Sequence, residues 1–106
     1  MKELVKLVVF VPEEDANKVR QALGKAGAGK IGEYTYCSFS IKGTGRFIPS
    51  KKANPAKGKA EQMEEVAEER IEVACEKDQV QKIIKQIKNV HPYEEVVIDI
   101  YPMLAL

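Results

Sequence analysis

A chain of 106 residues, 44% hydrophobic and 31% charged, has the size and make-up of one globular domain, and residues 1–106 are read as a single unit. Its 17 basic and 16 acidic residues leave a net charge of +1, which excludes a general electrostatic field for nucleic acid. No apolar run approaches the roughly 20 residues of a membrane-spanning helix, and Cys37 and Cys75 form neither a CxxC unit nor a disulfide framework.

Met1 opens no signal-peptide pattern, so the cytoplasm is the expected compartment. Leu4 to Val11 is rich in β-branched residues and predicts a first strand, stopped by Pro12. Glu13, Glu14 and Asp15 suit the positive end of a following helix. Ala16, Val19, Leu23 and Ala26 recur at helical spacing, and Gly27 and Gly29 end that helix.

YTYCSFSIKG, Tyr34 to Gly43, alternates and predicts a second strand, with Thr35, Cys37, Phe39 and Ile41 on its apolar face. The following insertion separates its charges. Lys42 to Lys59 holds six basic residues and no acid, and Glu61 to Glu76 holds seven glutamates against Arg70. Two arms of a hairpin facing one another account for that pattern. GTG at Gly43–Gly45 has neither P-loop nor dinucleotide-fingerprint spacing and reads as a turn or bulge at the hairpin base. With Phe47 as the insertion's one aromatic residue, nucleic acid is not an expected partner.

Residues 60–66 satisfy both helix propensity and strand alternation. A third strand is expected from about Val66, with Ile71, Val73 and Cys75 on one face. Val80, Ile83, Ile84 and Ile87 mark a second helix, ended at Asn89, and Glu94 to Tyr101 predicts the last strand. The order is βαββαβ: an α+β, ferredoxin-like sandwich with a long hairpin insertion between the second and third strands. Val8, Phe10, Val97 and Tyr101 make the face away from the helices partly apolar, which predicts a second copy as its cover.

His91 is the one histidine, with Glu94 and Glu95 close in sequence. A divalent metal ion held by His91 and Glu94 is a candidate, but a zinc-type site needs three or four convergent ligands. No serine or cysteine is placed beside His91 by a triad motif, so the expectation leans away from an enzyme. The alternative chemistry is an enzyme with an intersubunit cleft, and the plainest role is a helix stop and strand launch.

HPYEE after an isoleucine-rich helix resembles the C-terminal signature of the CutA/PII-like superfamily. YTYCSFSIKGTGRFIP, the ANP at Ala53–Pro55, EERIE at Glu68–Glu72 and HPYEEVVIDIYP together resemble the domain inserted in bacterial NIF3-like proteins. The resemblance implies a ferredoxin-like homo-oligomer, a trimer or larger, with a regulatory or small-ligand-sensing role. The di-metal centre of NIF3-like proteins lies in flanking domains, so the resemblance carries no catalytic residue onto this chain. It places a ligand-binding or intersubunit cleft at Cys37, Gly43, Gly45, Glu69, Glu72, His91 and Glu94, and it admits a copper- or zinc-binding alternative of the cation-tolerance type.

Overall fold

The computed structural model describes residues 2–105. Strand β1 (Leu4–Pro12) passes through a 3₁₀ turn into helix α1 (Ala16–Lys25), and strands β2 (Phe39–Phe47) and β3 (Glu64–Glu76) form a long hairpin. A second 3₁₀ turn leads to helix α2 (Val80–Val90), and strand β4 (Ile98–Pro102) ends the fold. The sheet order is β2-β3-β1-β4, every neighbouring pair antiparallel. That is the α+β, ferredoxin-like βαββαβ arrangement, with both helices on one face.

The alternation of β1 explains the layering. Val5, Leu7, Val9 and Val11 point toward the helices and meet Ile71, Val73 and Cys75 of β3. Val19 and Leu23 of α1 and Val80, Ile83 and Ile87 of α2 close this core from above, all buried. The opposite face carries Val8 and Phe10 of β1, Arg70 and Glu72 of β3, and Phe39 and Ile41 of β2. Val8 is fully buried there, whereas Phe39 is 63% and Ile41 48% exposed.

Four sequence expectations shift. The second strand begins at Phe39 rather than Tyr34, because Tyr36 takes a left-handed φ of 58° and lays its ring against Gly24 of α1. GTG is not a turn: Gly43 and Gly45 sit inside β2, opposite Glu68 and Val66. Residues 64–66 are strand and 60–63 are turn or irregular, so the doubtful segment contains no helix. The last strand begins at Ile98, four residues beyond Glu94, because residues 91–97 form an irregular link after α2 runs on to Val90.

The charge separation is realised as paired arms. Lys42 lies opposite Glu69 and Arg46 opposite Glu65, the latter pair in ionic contact at 3.3 Å. Beyond β2, Lys51 reaches Glu61 at 3.9 Å, and the Glu61 N–H donates to the Pro49 carbonyl at 2.6 Å. These exposed ion pairs fix register more than they stabilise. The hairpin makes the molecule long, 47 × 24 × 22 Å, with a radius of gyration of 14.8 Å; a compact chain of this length has about 13 Å.

Candidate functional site

The site grows from the end of α2. The His91 N–H makes the last helical bond, to the Ile87 carbonyl, and the backbone then turns extended at φ −81° and ψ 136°. Pro92 cannot continue the helix. The His91 ring, 7% exposed, folds onto β1: Nε2 meets the Phe10 carbonyl at 2.7 Å, and Nδ1 accepts the Tyr93 N–H at 3.1 Å. This pattern fits the tautomer protonated on Nε2. The Phe10 N–H donates to the Val97 carbonyl at 3.3 Å, so the imidazole satisfies the β1 backbone where β4 pairing stops.

Tyr93 is thereby aimed across the open sheet face. Its ring meets Phe47 edge-on, centroids 5.9 Å apart, and its hydroxyl donates to Glu68 Oε2 at 2.9 Å. Glu68 is 9% exposed and in no ion pair among the described residues. Gly45 leaves the space its carboxylate occupies; a Cβ there would run into Glu68 Oε1. Gly45→Ala is therefore expected to push the Glu68 carboxylate aside and cost about 1 kcal/mol through its weakened bond to Tyr93, whereas a Cβ at Gly43 meets nothing within 4 Å. Urea unfolding of the two variants checks this, and equal losses would remove the packing role assigned to Gly45.

Burial, and then the adjacent Glu68 carboxylate, pushes the Tyr93 hydroxyl above its ordinary value of 10.0. The unfolded chain therefore releases this proton at a lower pH than the folded one. The stability that Tyr93 contributes is complete below about pH 10 and falls as pH rises toward the folded value. Burial raises the Cys75 thiol in the same direction, so Tyr93 is isolated by comparison with Tyr93→Phe. The variant should show a shallower alkaline fall in denaturation midpoint; identical profiles would contradict the buried setting of the Tyr93 hydroxyl beside Glu68.

These residues line a cavity of about 680 Å³ between the sheet, the insertion and the link that follows α2. Phe10, Phe47, Tyr93 and Val97 form its apolar side, and Pro49, Pro55 and Ala56 of the insertion form the facing wall. Glu94 sits at the rim and holds the insertion by accepting the Asn54 N–H at 2.9 Å.

Within one copy of the chain, the seven cleft candidates do not gather in one place. Gly45 and Glu94 line the cavity, His91 supports it from behind, and Gly43 lies next to it on β2, opposite Glu68. Glu69 points to the helix side and pairs with Arg20, which also donates to Ser40 Oγ at 3.1 Å. Glu72 lies on the open face between Arg70 at 2.9 Å and Lys6 at 3.5 Å, and Arg70 foremost holds its carboxyl below the usual range. Cys37 sits in the loop before β2, its N–H donating to the Gly29 carbonyl at 2.9 Å. Phe10, Phe47 and Glu68 join the cleft without being expected there. Strand parity is the signal that could have found Glu68, since it faces opposite to the core residue Ile71.

A divalent metal does not fit the His91–Glu94 pair. Both His91 ring nitrogens are engaged by backbone groups, leaving no lone pair for a cation. Among the described residues, no group of three or more His, Cys, Asp or Glu could hold a metal ion. No described helix is long and apolar enough to cross a membrane.

No family model matches the chain. It is 48% identical over 100 residues to the GTP cyclohydrolase 1 type 2 homolog of Halalkalibacterium halodurans, covering 94% of this chain and 27% of that protein. The crystal structure of a Bacillus cereus protein related to NIF3 superposes with a TM-score of 0.84 at 46% identity, over 96% of this chain and 26% of that one. The divalent ion tolerance protein CutA1 of Ehrlichia chaffeensis superposes with a TM-score of 0.70 at 19% identity, over 100% of this chain and 86% of that one, a likeness of fold. The chain spans about a quarter of the length of the curated relatives it matches.

Proposed function

The chain belongs to the NIF3/GTP cyclohydrolase 1 type 2 homolog family, with a CutA-type ferredoxin-like fold, and from that premise we propose that it is a non-catalytic, homo-oligomeric cytoplasmic module with a regulatory, ligand-sensing role. The observation that supports assembly is the open sheet face. Phe39, Ile41, Val97 and Tyr101 are exposed on it beside a buried Val8. Apolar residues so concentrated on one side of a sheet are the signature of a face that a partner covers, and a trimer or larger ring of copies is the assembly proposed. The ligand-sensing part rests on the cavity, whose walls come from segments distant in sequence and whose volume is that of a small-molecule site.

Light scattering during size-exclusion chromatography measures the assembly mass. The parent protein should run as a trimer or larger, and Phe39→Glu with Ile41→Glu should shift it to monomer with its circular dichroism unchanged. A parent protein that is strictly monomeric at micromolar concentration overturns the assembly.

A further inference from the structure

The cavity beside Tyr93 has an unbalanced charge. Its two basic residues are both committed elsewhere: Arg46 to Glu65 at 3.3 Å, and Lys57 to Glu14. Its three carboxylates are not neutralised. Glu68 has the Tyr93 hydroxyl as its hydrogen-bond partner, Glu94 has the Asn54 N–H, and Glu95 has no ion pair among the described residues. Glu68 matters most, because it is nine-tenths buried and faces the space bounded by the Phe10, Phe47 and Tyr93 rings.

Aromatic faces and unneutralised carboxylates around one apolar space are the two elements that recognise an organic cation. The ring quadrupole attracts a cation above its face, and the attraction grows when water is excluded. A buried carboxylate without an ionic partner is costly, and an incoming ammonium group relieves that cost. The same charge disfavours phosphates and nucleotides, which would meet three carboxylates and no free cation. Bare metal ions are disfavoured because the apolar wall offers no further ligands.

We propose that this cavity binds a small organic ammonium ion, its charged head against the Tyr93–Phe47 ring pair beside Glu68 and its apolar body against the insertion. The identification rests on the ligand-sensing reading of the module but not on its assembly. It also gives the insertion a role, with residues 49–56 forming the wall that closes over the ligand's apolar part.

The test is titration of the isotope-labelled protein, followed by amide chemical shifts, with five probes: choline, benzyltrimethylammonium, the neutral choline isostere 3,3-dimethylbutan-1-ol, inorganic phosphate and a short lysine-bearing peptide. Both cations should bind saturably, with shifts centred on residues 45–49, 68 and 93–95. The neutral isostere should bind roughly ten-fold more weakly or not at all. Glu68→Gln keeps an acceptor for the Tyr93 hydroxyl, and the exposed Glu95→Gln leaves the fold untouched; each should weaken both cations while the melting temperature holds. Equal binding of isostere and cations, or binding of phosphate in their place, overturns the cation assignment and leaves a ligand-sensing cavity standing. Shifts seen with a lysine-bearing peptide but with neither small cation assign the groove to a protein partner and overturn the proposal. No shift with any probe overturns both the assignment and the ligand-sensing reading.

Discussion

Gly29→Ala is expected to lower the stability of the fold by about 2–4 kcal/mol, the largest single loss expected here. Gly29 has a φ of +80°, a conformation that costs a residue with a side chain about 1–2 kcal/mol. The added Cβ would also strike the backbone of Cys37, meeting its nitrogen at 2.8 Å. Backbone cannot swing aside as a side-chain tip can. Two hydrogen bonds hold the two partners in place: the Gly29 N–H donates to the Ala74 carbonyl at 2.8 Å, and its own carbonyl accepts from the Cys37 N–H at 2.9 Å. Since β2 pairs with β3 only as far as Phe39 opposite Glu72, Gly29 occupies the β3 edge where β2 has not yet begun. A urea midpoint that falls at constant slope would register the effect. A loss under about 1 kcal/mol would mean that the 29–37 loop is not held by these bonds.

His91→Ala is expected to follow at about 2–3 kcal/mol, through hydrogen bonds rather than strain. Truncation leaves the Phe10 carbonyl without its side-chain partner and the Tyr93 N–H without its acceptor, both in a part-buried place. It also frees the Tyr93 ring, whose centroid lies 5.2 Å from the imidazole, so the loss should spread to the cavity. The same variant addresses the metal alternative. Calorimetric titration with copper and zinc should give no binding step that depends on His91. A step present in the parent and lost in the variant would restore a histidine-centred site, and a fully stable variant would remove the strand-ending role.

The strongly periodic segments are legible to within a residue or two. Leu7, Val9 and Val11 alternate, and Val80, Ile83 and Ile87 recur at helical spacing, because burial on one face demands that spacing of the sequence itself. YTYC misleads because tyrosine and threonine favour strands, while the contact that decides the matter, Tyr36 on Gly24, joins residues from two elements. Gly43–Gly45 misleads because glycine in a turn and glycine making room for a neighbour look alike in sequence. The need for Gly45 comes from Glu68, on another strand. The scatter of the cleft candidates within one copy follows partly from a signal that the sequence does carry. Glu69 and Glu72 are three residues apart on one strand and must face opposite ways. What no local pattern carries is the meeting of Phe10, Phe47 and Tyr93, which the crossing of β1, β2 and the post-helical link creates.

The pairing of β1 with β4 sets Val5 opposite Pro102, and the Met103 N–H donates to the Leu4 carbonyl at 3.4 Å. The path of the chain thus returns almost to its starting point before leaving the sheet. A longer polypeptide entering along β1 and departing after β4 would have only a narrow gap to bridge, and loop-closure entropy would penalise such a graft little. A unit of this geometry can be carried by a host fold as a side-branch, each part keeping its own core. That physical economy accords with relatives in which the matching segment makes up 27% of the protein.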